Sequence, residues 1–137
     1  MSHSPTQVLL AEDDSDLGAA LIELLELSGM TVDWARSGLD FYNFLARDTA
    51  YHVAVIDIGL PDQSGLVLGD YLRRNSKASI IILTANDSID VTADSYGRGM
   101  DLFIGKPVDN AVLVAAIASL AERSRQRIGV SSVGSAH

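Results

Sequence analysis

The sequence contains no cysteine. Disulfide scaffolds, zinc ribbons and thiol catalysis are therefore excluded, and the composition fits a reducing compartment. No apolar run approaches the ~20 residues that a membrane-spanning helix needs. The polar start Met1-Ser2-His3-Ser4-Pro5 has none of the character of a secretory signal. A soluble, cytoplasmic protein with no membrane partner is expected. Basic side chains are scarce, with 10 Lys and Arg against 18 Asp and Glu, a formal net charge of −8. Such a surface repels phosphate backbones, so direct nucleic-acid binding by this chain is not expected. The three histidines, His3, His52 and His137, form no ligand spacing and read as surface residues. There is no internal repeat and no low-complexity block.

What the chain does have is alternation. Its 137 residues allow one ordinary domain. Val8 to Ala11 reads as a buried strand, followed by Glu12-Asp13-Asp14-Ser15, where Asp14 or Ser15 can cap a helix. Leu17, Ala20, Leu21, Leu24 and Leu25 keep helical spacing until Gly29. A second strand, Thr31 to Ala35, carries the only tryptophan, and a second helix spans about Leu39 to Arg47. Val53 to Ile56 is an apolar strand ending at Asp57, and a helix over about Leu66 to Arg74 follows. Ile80 to Leu83 is another, ending at Thr84, then a weak fourth helix over about Ser88 to Arg98. A short fifth strand, Leu102 to Ile104, precedes Gly105-Lys106-Pro107, and the last helix starts near Asp109. Five such units with apolar strands predict an α/β fold, a doubly wound parallel sheet with helices on both faces. Ligands of such sheets sit beyond the carboxyl ends of the strands.

The chemically capable residues fall there. Glu12 and Asp13 follow the first strand, Asp57 ends the third, Thr84 the fourth, and Lys106 follows the fifth. Each alone has a structural explanation as a cap, a turn residue or a solvated charge. Together they bring three carboxylates, a hydroxyl and an ammonium to one sheet edge. Two unit charges ~4 Å apart interact by about 4 kcal/mol at an effective dielectric of ~20, so clustered carboxylates call for a cation. Hard oxygen donors suit magnesium. A carboxylate can also act as a nucleophile and give an acyl phosphate, with a lysine and a hydroxyl holding the phosphoryl oxygens.

The stretches Val8-Leu9-Leu10-Ala11-Glu12-Asp13-Asp14, Asp57-Ile58-Gly59-Leu60-Pro61-Asp62, Leu83-Thr84-Ala85 and Lys106-Pro107 closely resemble the receiver domain of bacterial two-component response regulators, the CheY-like superfamily. The resemblance covers about residues 7 to 127. It implies a flavodoxin-like (βα)5 fold with strand order 2-1-3-4-5, and a signalling domain rather than an enzyme. It makes Asp57 the phosphoacceptor, with Lys106 and Thr84 on the phosphoryl oxygens. Asp13 and Asp57 would ligate Mg2+ directly, Glu12 through water and Gly59 by its backbone carbonyl, with Mn2+ able to substitute. The phosphoryl donor would be a sensor histidine kinase or a histidine phosphotransfer protein. Thr84 and Phe103 would form the switch, Phe103 favouring a buried position. Gly59 and Asn86 would tune the phosphoryl lifetime, Gly59 by leaving the site unshielded and Asn86 by orienting a water.

Gly99-Met100-Asp101-Leu102-Phe103 departs from the Gly-Ala-Asp-Asp-Tyr pattern of receivers joined to winged-helix DNA-binding domains. A homodimer through the fourth helix, fifth strand and fifth helix would have to rest on hydrophobic contact. Residues 1–127 read as the receiver and 128–137 as a flexible tail or the start of an interdomain linker. Arg123, Arg125 and Arg127 would then complement the end of the last helix. The expected role is the receiver part of a longer transcriptional regulator. A stand-alone phosphorelay receiver is the alternative, and a degenerate, phosphorylation-independent binding module is less favoured. A haloacid-dehalogenase-type phosphatase would need a second aspartate where Gly59 stands. A flavodoxin-like cofactor module would need a phosphate-binding loop where Glu12-Asp13-Asp14 stands.

Overall fold

The computed structural model describes residues 5–47, 50–85 and 99–135. Four strands form on apolar runs, β1 (Gln7–Ala11), β3 (Val53–Asp57), β4 (Ser79–Thr84) and β5 (Leu102–Gly105), and the edge strand β2 (Thr31–Ala35) alternates apolar and polar residues. Every residue of β3 and β4 is buried, as befits central strands covered on both faces. All pairings are parallel and the order is β2-β1-β3-β4-β5, as expected. The order reverses between β1 and β3, so Ala11 and Asp57 end on neighbouring strands at the switch point.

The helices are α1 (Ser15–Leu27), α2 (Gly38–Arg47), α3 (Gly65–Asn75) and a long final helix, α4 (Asn110–Ser135). Alternate strand residues point to opposite sides of the sheet. One side packs Leu9, Ala54, Ile56, Ile80 and Ile82 against Phe41 and Leu45 of α2 and Leu68 and Leu72 of α3. The other packs Val8, Leu10, Val55, Ile81 and Leu83 against Leu21 and Leu25 of α1 and Leu113, Ile117 and Leu120 of α4.

Local signals start and stop these helices. Asp14 caps α1, its carboxylate accepting from the Asp16 and Leu17 N–H groups at 2.9 and 3.0 Å. Beyond α1, Gly29 takes φ +84°, a conformation that costs glycine nothing. The first N–H groups of α2 are received from a distance, because Asp62, in the loop after β3, accepts from Gly38 and Leu39 at 2.8 and 3.0 Å. The Gly38 N–H is the main reason the Asp62 carboxyl lies below its ordinary range.

Two expectations change. The last helix, α4, runs through Ile128 to Ser135. Arg123, Arg125 and Arg127 therefore do not end that helix, and two of them reach the base of the sheet. Arg125 donates to Thr6 Oγ1 at 3.0 Å, and Arg127 donates to the Lys77 carbonyl at 3.4 Å. His52 is half-buried rather than a surface residue, and its Nδ1 accepts the Gln7 N–H at 2.9 Å. The expected helix over about Ser88 to Arg98, and with it part of the expected dimer face, lies outside the described residues.

Candidate functional site

β1 and β3 end side by side, so the residues that follow Ala11 and those that close β3 share one edge. Glu12 is fully buried there, and Asp57 is 6% exposed. Asp13 is exposed at the rim. One oxygen from each of Glu12, Asp13 and Asp57 lies within 4.8 Å of the others, an all-oxygen set suited to a hard cation. Lys106 closes the group from the end of β5. Its Nζ stands 3.1 Å from Asp57 Oδ1 and 3.2 Å from Glu12 Oε1.

The electrostatics follow from these contacts. Burial is the main cause that raises the Glu12 pKa above its ordinary value, and the charge of Asp57 adds to it. The Asp14 N–H, 3.2 Å from Oε2, and the Lys106 ammonium oppose the rise. Burial works against the charge on Lys106, but the contacts with Asp57 and Glu12 outweigh it and raise the Lys106 pKa. Oε1 of Glu12 is buried, and among the described residues the Lys106 ammonium at 3.2 Å is the one polar group against it. A buried carboxylate oxygen can accept more than the one contact that a shared ammonium gives it. A metal-bound water would supply a further donor, and with the all-oxygen set of Glu12, Asp13 and Asp57 the residues fit a magnesium site.

The surrounding elements set this arrangement. α3 begins so close to β3 that a Cβ on Gly65 would stand 2.3 Å from the Asp57 carbonyl oxygen. Only glycine lets the helix start there. Thr84 is buried at the end of β4, and its carbonyl accepts the Lys106 N–H at 2.8 Å, fixing the start of the Lys106-Pro107 turn. Lys106-Pro107 is a cis peptide. Gly59 is exposed, and a Cβ there would meet nothing within 4 Å. Phe103 is half-buried on β5, packed toward the α2–α3 side. Asn86 lies outside the described residues.

Glu12, Asp13, Asp57, Thr84 and Lys106 thus come together as the sequence implied, with Gly59 beside them. The sequence reading missed Gly65, Asp62 and Trp34. Trp34 donates its indole N–H to the Glu12 carbonyl at 2.8 Å. A lone tryptophan next to the carboxyl end of a strand was the available signal.

The family model for the response regulator receiver domain matches residues 8–118. The chain belongs to this family. Its members are signalling domains of two-component systems, and they interact with histidine kinases or phosphotransfer proteins. The receiver is 34% identical over 122 residues to the response regulator protein PmrA of Pseudomonas aeruginosa, covering 88% of this chain and 55% of that protein. It is 33% identical to the response regulator RppA of Synechocystis, over 88% of this chain and 52% of that one. The receiver domain of the Francisella response regulator 1452 superposes with a TM-score of 0.79 at 29% identity, covering 87% and 98% of the two chains. The receiver spans about half the length of the curated relatives it matches. Among the described residues no helix is long and apolar enough to cross a membrane.

Proposed function

We propose that this receiver accepts a phosphoryl group on Asp57 from a phosphohistidine of a partner kinase or phosphotransfer protein, with Mg2+ held by Asp13, Asp57 and, through water, Glu12. The observation that carries the reading is the buried Glu12–Asp57 pair bridged by one ammonium, with Asp13 completing an all-oxygen set. A free Asp57 oxygen attacks phosphorus, the P–O bond forms, and the P–N bond breaks with its electron pair returning to the imidazole. Mg2+, when bound, offsets the negative charge of the phosphoryl oxygens as they approach these carboxylates. Lys106 already lies 3.1 Å from Asp57 and needs only to follow the new oxygens outward. The Thr84 hydroxyl turns to a phosphoryl oxygen, and the room it leaves admits Phe103 from its half-buried position. Gly59 leaves the acyl phosphate open to water, and Asn86 orients that water, giving a moderate lifetime. Mn2+ would serve in place of Mg2+.

The relatives extend well beyond the matched region, and several are transcriptional regulators. That supports a receiver governing a second, transcriptional half, with residues 128–137 leading toward it, over a stand-alone relay receiver. A homodimer through the β5–α4 side would have to rest on hydrophobic contact.

The test is intact-mass analysis after incubation with acetyl phosphate, with and without Mg2+, on wild type and Asp57→Ala. One phosphoryl group that requires both Mg2+ and Asp57 is expected. A folded, metal-loaded wild type that gains none would leave the degenerate binding module as the better account.

A further inference from the structure

The loop that carries the acidic residues is braced from outside the site. β2 holds both backbone polar groups of Glu12. The Glu12 N–H donates to the Ala35 carbonyl at 3.0 Å, and the Glu12 carbonyl accepts the Trp34 indole N–H at 2.8 Å. The same indole is seated on α1 at Gly18, where a Cβ would stand 2.2 Å from Trp34 Cζ2. The Arg36 guanidinium lies over the indole, 4.4 Å from the ring centroid, and donates to Ser15 Oγ at the start of α1. Asp13 and Asp14 lie between these tethers, in the turn that links Glu12 to α1. One aromatic side chain therefore touches the chain just before the exposed carboxylate of Asp13 and the helix just after it.

We infer that Trp34 is a positioning residue for the metal-binding acids, holding Glu12 and Asp13 in ligating position before the cation arrives. It touches neither the metal nor the phosphoryl group. Groups that orient ligands from behind commonly govern metal affinity by 10- to 100-fold, because a loosened ligand must be ordered at the moment of binding. Gly18 belongs to the same device, since any side chain there would push the ring off the helix. The inference rests on the magnesium reading above, and its test separates the two.

The test has two parts. In wild type the single indole N–H resonance is followed by NMR as Mg2+ is added. It should shift with the same saturation curve as metal binding. Mn2+ affinity is then measured directly by electron paramagnetic resonance for wild type, Trp34→Phe and Gly18→Ala, alongside the melting temperature in EDTA. Trp34→Phe keeps a ring on Gly18 but lacks the N–H, and should bind Mn2+ about tenfold more weakly with little change in metal-free melting. Gly18→Ala keeps the N–H and should also weaken binding, and in the double variant the two losses should not add. Wild-type affinity in Trp34→Phe overturns the brace. Should that variant fail to fold, wild-type Mn2+ affinity in Gly18→Ala overturns it instead. A wild type that binds no Mn2+ removes the metal reading itself, and this one with it.

Discussion

Glu12 has the clearest consequence of any single residue. Its acidic type after a strand was legible in the sequence, but its complete burial was not, because burial depends on Lys106 and Asp57 arriving from distant positions. With its pKa raised chiefly by burial, the neutral carboxyl is favoured in the fold relative to the unfolded chain. Stability from this group is therefore present below the ordinary value of 4.5 and is lost as pH rises through the folded value. Glu12→Gln keeps the shape and drops the charge. In EDTA at pH 8 it should melt above wild type, with the gap closing toward pH 4.5. A variant that melts lower at every pH would show that the buried charge is not a cost. His52 runs the opposite way. Burial, aided by Arg125, lowers its pKa below 6.5, and its neutral Nδ1 accepts the Gln7 N–H. Its contribution is present above 6.5 and is lost as pH falls through the folded value. His52→Asn keeps an acceptor that does not titrate, so its melting temperature should fall less than that of wild type between pH 7.5 and 5.5. Equal falls would exclude His52 as the titrating group.

At the level of elements, the sheet was readable because β3 and β4 carry unbroken apolar runs, 53–56 and 80–83, which only a strand covered on both faces tolerates. The end of α4 was not. Residues 129–135 are glycine, serine and valine, poor helix formers that give no helix signal in the sequence. A helix already nucleated upstream needs only one further bond per added residue, and Arg125 and Arg127 tie that upstream part to the base of the sheet. Asp101 had no structural role assigned from the sequence beyond its place in the stretch 99–103, and it is a bridging residue. It receives Arg73 at 2.6 Å and the Ile80 N–H at 2.7 Å, filling the ladder position below the first β4–β5 pair. Asp101→Ala would leave the Ile80 N–H without that acceptor and free Arg73 from α3's anchor. Loss of about 1–3 kcal/mol is expected, read as a lower urea midpoint at unchanged slope. An unchanged midpoint would mean that water replaces the carboxylate at no cost.

For the whole molecule, the net charge of −8 is partly a property of the site. Glu12 and Asp57 share one ammonium at the carboxyl edge and Asp13 stands beside them, so the fold holds unbalanced charge that a divalent cation would relieve. The sequence showed which residues meet there but not their ion pairing, since pairing depends on sub-ångström placement rather than on spacing. A ligand that binds only the folded state stabilises it by about 2.7 kcal/mol at 100 times its Kd. Each kcal/mol moves the melting temperature by roughly 2–8 °C across domains of this size range, so Mg2+ should raise it by at least ~5 °C. Sodium chloride at matched ionic strength should reproduce only the small part due to screening. Asp57→Asn, with one ligand fewer, should lose most of the rise. Lys106→Met should show a larger rise than wild type, because it removes the cation that competes with Mg2+ and leaves three uncompensated acids without metal. If sodium chloride matched the Mg2+ effect in all three proteins, the acids would be responding to ionic strength alone, and no specific cation would belong between them.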